Sequence, residues 1–227
     1  MTYSKATLKR LAKLKQKKHR EAERLFLAEG RTVVEEAPVP AEHLITDLDA
    51  VERLSTLTTA TGPVAVFPFL DITVAELLEK SERIVLLHGV QDPGNAGTVI
   101  RSAHAFGAGV ALSTGTADLY NPKTVRATMG SIFHTPIARE VLSLPFLEEA
   151  EASGFATTAA VPHGGVRPSS LLAGKPVIVV GAEGAGLPEE VISVCQQRVR
   201  IPALVASLNA AVAASILLYE AYSRVLP

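Results

Sequence analysis

The chain has 227 residues, of which 48% are hydrophobic, and it contains one cysteine, Cys195. This apolar content is enough for a folded core and excludes an intrinsically disordered chain. A single cysteine excludes a disulfide within the chain, and the first residues show no apolar run of the signal-peptide type. The apolar stretch at 210–218 is too short to span a bilayer. We therefore expect a cytoplasmic protein without a membrane segment.

Charge is distributed unevenly along the chain, although the net charge is only −1. Residues 1–31 contain ten Lys or Arg and three Glu, a balance of +7. The remaining residues contain twelve Lys or Arg and twenty Asp or Glu, a balance of −8. A basic segment on an acidic body favours a polyanionic partner. The alternative is a lysine-rich helix that is merely solvated.

The first part of the chain predicts a small α/β unit. Residues 4–24 contain few helix breakers and predict a basic helix. Short strands are predicted at 44–47 and 63–67, and a helical or linking segment at 71–81.

From Arg83 onward, short apolar runs alternate with helical segments. The predicted strands are 84–87, 110–113, 156–161, 177–181 and 199–201. The predicted helices are 98–106, 122–131, 145–153, 188–195 and 207–225. Continuous apolar strands that alternate with helices indicate an α/β fold with a parallel sheet covered on both faces.

Polar residues in unusual loops follow three of these strands, where ligand sites of parallel sheets form. In the first loop, VQDPGNAG, Asn95 is placed to cap the next helix, from which Arg101 and His104 project on the side opposite the apolar face. The alternative is an ordinary turn with a solvent-facing arginine. In the second, GAEGAGLP, Glu183 lies among glycines whose spacing excludes the dinucleotide-binding fingerprint.

The third loop leads into an Ala-rich helix at the C-terminal end of the sequence. Either Ser207 or Asn209 is placed to cap this helix. The helix is apolar nearly all round, so it must be buried in the domain or against another subunit. A core or dimer helix with a polar cap is the plainer alternative to a binding site here.

Together the three segments resemble the three motifs of the SpoU (TrmH-type) RNA methyltransferases of the SPOUT class. The matching motifs are VQDPGNAG followed by IRSA, then GAEGAGLP, then IP and SLNAAVAASILLYE. The linking segment DLYNPKTVRATMGSIFHTPI is also similar to the family, so the resemblance is continuous over residues 83–224. It implies a methyltransferase domain at 82–227 with a C-terminal trefoil knot, an exception to the rule that chains do not thread loops.

The N-terminal part is similar to the family's substrate-binding domain, a small RNA-binding fold. The matching stretches are LKQKKHREAERLFLAEGRTVVEEA and TTATGPVAVF. The resemblance implies an RNA-binding domain at 1–72. The candidate RNA contacts of this domain are Lys13, Lys17, Lys18 and Arg20. Arg101 of the first motif is a further candidate RNA contact.

The family also implies S-adenosylmethionine as cofactor. The residues that would line its pocket are Ala159, Ala160, Gly181, Ile201 and Leu208. One departure concerns the loop after Ile201 and Pro202, which is shorter than the family pattern and lacks its glycine.

The implied reaction is methylation of a ribose 2′-hydroxyl of RNA. Arg101 would stabilise charge on the attacking oxygen and clamp a phosphate. Asn95 and Asn209 would orient the ribose and the cofactor, and Glu183 would orient Arg101 or the substrate. Ser207 or a water would handle the proton, since arginine is too basic to accept it.

The expected partners are RNA, most of all 23S rRNA, and a second copy of the chain in a homodimer. We expect no membrane partner and no metal. The alternatives are a tRNA 2′-O-methyltransferase, a guanine-base methyltransferase of the same superfamily, and an inactive RNA-binding knot protein. The sequence leaves open which nucleotide is methylated, and whether the role is housekeeping or antibiotic resistance.

Overall fold

The computed structural model of the chain describes residues 3–60, 62–172 and 174–224. Its N-terminal unit contains a three-stranded antiparallel sheet with strand order β1-β3-β2. The strands are β1 (Leu25–Glu29), β2 (His43–Ile45) and β3 (Val64–Pro68). The helices are α1 (Lys5–Ala12), α2 (Lys17–Glu23), α3 (Arg31–Glu35) and α4 (Leu48–Leu54).

The C-terminal unit is built on a six-stranded parallel sheet with strand order β6-β5-β4-β8-β7-β9. The strands are β4 (Ile84–His88), β5 (Gly109–Ser113), β6 (Ile137–Val141), β7 (Phe155–Ala160), β8 (Lys175–Gly181) and β9 (Gln197–Val199). The helices are α5 (Val74–Lys80), α6 (Pro93–Ala105), α7 (Pro122–Ala127), α8 (Ser143–Ala152), α9 (Glu189–Val194) and α10 (Ala210–Ser223).

Helices cover both faces of this sheet, which confirms the expected parallel α/β architecture. Alternate residues of each strand face opposite sides. Val85 and Leu87 of β4 pack in the core with α6 and α10. Ile84 and Leu86 of the same strand pack in a second core with α5, α8 and α9. Two-sided burial explains why the central strands are continuous apolar runs.

Several elements differ from the expectation. Strands β1 and β6 and helices α3 and α4 were not predicted, and the basic helix is interrupted at Gln16, whose backbone is extended. Strand β6 lies at the edge of the sheet and carries Arg139 and Glu140. Their side chains pair with charged groups outside the sheet, Arg139 with Glu21 and Asp71 and Glu140 with Lys17. Helix α10 begins at Ala210 rather than 207, and Val225 of the predicted helix lies outside the described residues.

The two units share an aromatic core. One face of the N-terminal sheet packs on α1 and α4, whereas Phe26 and Phe67 on the other face pack against the C-terminal unit. The ring centroids of Phe26 and Tyr120 are 4.8 Å apart, as are those of Phe67 and Phe133. The Tyr120 hydroxyl donates to Asp71 at 2.6 Å. Burial opposes ionisation of Asp71, but this hydrogen bond and the Arg139 charge outweigh it and hold the pKa of Asp71 below its ordinary value.

Arg20 is part of this contact, which corrects its assignment to RNA binding. Its side chain is only 3% exposed. It donates to the Leu14 carbonyl at 2.8 Å and to the Asp118 carboxylate at 2.5 Å. A guanidinium that is buried and paired in this way has no surface to offer to RNA. The sequence could not show this, because Asp118 is 98 residues away along the chain.

We expect Arg20→Ala to lower the free energy of unfolding by about 3–5 kcal/mol, because the change leaves the Asp118 carboxylate, which is only 13% exposed, without its charged partner. Urea unfolding followed by circular dichroism measures the change. Lys18→Ala, at an exposed position of the same helix, is the control and should stay within about 0.5 kcal/mol of the unmodified protein. Equal stability of both variants would contradict the structural role of Arg20.

Helices α6 and α7 approach closely at Gly97. A Cβ atom at this position would lie 2.5 Å from the Ala127 Cβ and 2.7 Å from the Thr124 carbonyl oxygen. Only glycine permits this approach, which fixes α7 beside the first two turns of α6.

We expect Gly97→Val to lower the free energy of unfolding by about 1–3 kcal/mol, since the new side chain overpacks this contact. Thr98→Val introduces the same residue at the next, exposed position and should have little effect. Thermal unfolding of both variants measures the difference. A Gly97→Val protein as stable as the Thr98→Val protein would show that the helices separate without cost.

Candidate active site

Three loops meet at the carboxyl edge of the parallel sheet. Strands β4 and β8 are neighbours, and His88 at the end of β4 pairs with Gly181 at the end of β8. Strand β9 ends at the same edge, beside β7. The loops that follow β4, β8 and β9 carry the three motifs, so the topology brings together segments that are distant in sequence.

Asp92, rather than Asn95, caps helix α6. Its side chain accepts a hydrogen bond from the Asn95 backbone N–H at 2.9 Å, and Pro93 follows as the first helical residue. This explains why the helix begins five residues earlier than the predicted 98–106. The backbone hydrogen bond from Asn95 and the hydrogen bond from Lys123 hold the pKa of Asp92 below its ordinary value. Because Asp92 is the cap, the Asn95 side chain is available for other contacts.

The Asn95 side chain joins the three loops. Its Nδ2 donates to the Glu183 carboxylate of the loop after β8. Its Oδ1 accepts a hydrogen bond from Asn209 Nδ2 at 3.1 Å. Asn209 in turn caps α10, because its Oδ1 accepts from the N–H groups of Ala211 and Val212 at 2.9 and 3.2 Å. The structure thus brings together three of the five predicted catalytic side chains in one hydrogen-bonded chain.

Arg101 and Ser207 lie on the same segments but outside this hydrogen-bonded chain. Both side chains are exposed, and neither forms a hydrogen bond or ion pair with any residue that the structure describes. Glu183 contacts Asn95, not Arg101, so the expected orientation of Arg101 by Glu183 is absent among these contacts. Arg101 is therefore a cation available to a ligand.

A cleft opens beside these side chains, with about 880 Å³ of space that includes its open mouth. Four of the five residues predicted to hold the cofactor line it, namely Ala160, Gly181, Ile201 and Leu208. Ala159 does not, because it is fully buried in the core on the other face of the sheet. Successive residues of a strand point to opposite faces, so Ala159 and its neighbour Ala160 cannot both face the cleft.

The cleft also has a lining that the sequence did not predict. His163 and Arg200 follow β7 and β9 and line the cleft with Val205 of the shortened loop. The rule that sites form at the carboxyl ends of parallel strands was the signal that could have identified the first two.

The backbone around the cleft suits a small polar ligand with an apolar body. The N–H groups of residues 203–208 donate to no other backbone carbonyl within the described chain, so they are available as donors. At Gly181, a Cβ would lie 2.3 Å from the carbonyl carbon of Gly186, so only glycine allows the tight loop that forms the cleft wall. Small-molecule sites typically combine such apolar walls with a few backbone polar groups.

The remaining predicted RNA contacts lie on the N-terminal unit. Lys13, Lys17 and Lys18 are exposed. Lys17 Nζ is 3.2 Å from the Glu140 carboxylate near the end of β6, so this basic surface lies against the carboxyl edge of the sheet. In the described ranges, no helix is long and apolar enough to cross a membrane. Within the same residues, no group of three or more His, Cys, Asp or Glu side chains is placed to hold a metal ion.

Two family models match the chain. The SpoU rRNA Methylase family matches residues 82–219, and the MRM3-like substrate binding domain matches residues 5–67. A relative from Bacillus subtilis (strain 168), the 23S rRNA (guanosine(2553)-2′-O)-methyltransferase RlmP, is 33% identical over 236 residues, with 92% of each chain covered. The 23S rRNA (uridine(2479)-2′-O)-methyltransferase of Streptomyces viridochromogenes is 37% identical over 60% of this chain and 51% of its own.

Solved structures agree over nearly the full length. The AdoMet-bound rRNA methyltransferase from Sinorhizobium meliloti has a TM-score of 0.90 at 30% identity, covering 100% of this chain and 98% of that chain. The SpoU methyltransferase AviRb from Streptomyces viridochromogenes, in complex with AdoMet, has a TM-score of 0.85 at 25% identity, covering 97% and 98%. The chain belongs to the SpoU rRNA methylase family, because the family model matches more than half of its residues and the relative from B. subtilis is similar over 92% of both chains.

Proposed function

We propose that this protein transfers a methyl group from S-adenosylmethionine to a ribose 2′-hydroxyl of 23S rRNA. The observation that carries the proposal is the hydrogen-bonded chain Glu183–Asn95–Asn209 beside the cleft, with Arg101 exposed on the same helix as Asn95. The names of the relatives from B. subtilis and S. viridochromogenes support the substrate and the atom methylated. An rRNA substrate also agrees with a cytoplasmic location.

The cleft fits S-adenosylmethionine, which when bound supplies a methyl group activated by a sulfonium. Ala160 and Ile201 would contact its apolar parts. Backbone groups near Gly181, Ile201 and Leu208 would bind its polar edges, as the free N–H groups of the neighbouring loop allow. The bound neighbours from S. meliloti and S. viridochromogenes support this assignment.

Arg101 acts on the substrate rather than on the cofactor. A ribose hydroxyl is a weak nucleophile until its proton begins to leave. The guanidinium stabilises the negative charge that develops on the oxygen, and its planar fork binds an adjacent phosphate. The proton of the hydroxyl leaves to water, either directly or through the Ser207 hydroxyl, which accepts it and passes its own proton on.

The amide cluster orients the reacting groups. Each of Asn95 and Asn209 uses one Nδ2 hydrogen within the cluster and retains a second as a donor. Because both amides are fixed by their neighbours, these donors are held in place before substrate binds. Such preorganisation is a main source of rate enhancement.

We also propose the division into a substrate-binding domain at 1–72 and a methyltransferase domain at 82–227 with a C-terminal trefoil knot. The ends of these ranges at residues 1, 2 and 225–227 lie outside the described residues. The two family matches support the division. Support for the knot comes from the family motifs and from a sheet in which β8 is inserted between β4 and the earlier strand β7.

A homodimer is proposed from the exposed face of α10. Val212, Ile216 and Tyr219 are spaced to share one side of this helix and are 48%, 38% and 56% exposed. An apolar stripe of this kind on an otherwise buried helix is typical of a subunit interface.

Arg101→Ala is expected to reduce methyl transfer to 23S rRNA by about 10²-fold or more, because it removes charge stabilisation at the reacting oxygen. Cofactor binding, measured by isothermal titration calorimetry, should change little. Arg53→Ala, at an exposed position of α4 outside the basic segment 1–31, is the control and should retain normal turnover. Near-normal turnover of Arg101→Ala would contradict the assignment.

The same assay separates the alternatives. Nuclease digestion of the product and mass spectrometry distinguish a 2′-O-methylated ribose from a methylated guanine. Methylation of tRNA but not of rRNA would show that the substrate is tRNA. Absence of methyl transfer to either RNA would favour an RNA-binding protein without catalytic activity.

Ile216→Glu is expected to convert the dimer to a monomer, because a charge would be buried at the centre of the apolar stripe. Analytical ultracentrifugation measures the mass. Leu48→Glu places the same charge at an exposed leucine of α4 and should remain dimeric. If both variants remain dimeric, the dimer interface does not include the apolar stripe of α10.

A further inference from the structure

Lys123 contacts the N-terminal cap of α6, the helix that carries Asn95 and Arg101. It lies in the first turn of α7, where the Asn121 side chain caps its backbone N–H at 2.9 Å. Its Nζ donates to Asp92 Oδ2 at 3.1 Å. The close contact of α6 and α7 at Gly97 fixes the distance between the two helices, so Lys123 reaches Asp92 from a rigid base.

Asp92 uses its two carboxylate oxygens for different tasks. Oδ1 accepts the Asn95 N–H and caps α6, while Oδ2 accepts from Lys123. The two contacts together fix the rotation of the carboxylate, and through it the first turn of α6. The Asn95 side chain extends from that turn to Glu183 and Asn209, so a rotation at Asp92 displaces the amide cluster.

We propose that Lys123 is a positioning residue for methyl transfer, acting through Asp92 on Asn95; this rests on the proposed function. The Lys123 and Asp92 side chains are 60% and 45% exposed, and exposed ion pairs contribute little to folding stability. The effect of Lys123 is therefore on geometry: small displacements of reacting groups reduce rates strongly. Lys123 contacts neither the cleft nor the amide cluster directly.

The test compares Lys123→Met, Lys123→Arg and Asp92→Asn in methyl transfer to 23S rRNA. Lys123→Met should lower kcat roughly tenfold or more, with KM for S-adenosylmethionine near its normal value. Lys123→Arg, which retains the charge, should recover most of the rate. Asp92→Asn retains a good cap but weakens the ion pair, so it should resemble Lys123→Met. The double variant Asp92→Asn/Lys123→Met should lose no more than either single change.

Lys80→Met is the matched control. Lys80 forms an ion pair with Glu76 in which the side chains are 53% and 45% exposed, close to the values for Lys123 and Asp92. It lies at the end of α5, before β4 begins, and hence at the opposite edge of the sheet from the cleft. This variant should keep normal kcat. An equal loss in both variants, or an unchanged kcat in Lys123→Met, would overturn the proposal.

A second readout does not depend on activity. The side-chain amide signals of Asn95 in ¹⁵N-labelled protein, assigned by their loss in Asn95→Ala, should shift in Lys123→Met but not in Lys80→Met. Unmoved Asn95 signals would overturn the positioning role. If the unmodified protein fails to methylate rRNA while these signals shift, the proposed function fails and the coupling of Lys123 to Asn95 stands.

Discussion

The structure of the site depends on one side chain, Asn95, whose amide joins three loops that are far apart in sequence. It donates to Glu183 and accepts from Asn209, partners that are 88 and 114 residues away. Both contacts require the first turn of α6 to begin at Pro93, which the Asp92 cap ensures. Because the loops follow strands of one parallel sheet, their separation is set by the sheet itself. The polar cluster therefore exists only in the complete domain.

The amide cluster, Arg101 and the cleft have different roles in the site. The amides and Glu183 are held by each other, whereas Arg101 is exposed and has no partner among the described residues. A fixed set of neutral donors suits the orientation of a ribose, and an available guanidinium suits a phosphate or a developing oxyanion. The cleft beside them combines apolar and polar side chains in its lining with free backbone donors, as a nucleoside-containing cofactor requires.

The N-terminal unit is packed on the methyltransferase unit rather than linked to it loosely. Phe26 and Phe67 enter a core shared with Tyr120, and Arg139 binds Glu21 through two hydrogen bonds of 2.8 and 3.1 Å. This contact buries both aromatic rings and paired charges, and such a contact favours a single arrangement of the two units. The exposed lysines of α2 are consequently held at the carboxyl edge of the sheet, the edge at which the cleft opens.

The sequence by itself determined the parallel sheet, the three polar loops and a polar cap, at Ser207 or Asn209, for the last helix, because apolar runs, glycine-rich turns and caps depend on local chemistry. The tertiary structure alone decided that β6 completes the edge of the sheet and that Ala160 but not Ala159 faces the cleft. It also decided that Arg20 is buried. Each of these depends on which distant residue lies opposite, and the charge or hydrophobicity of a single residue does not specify that partner.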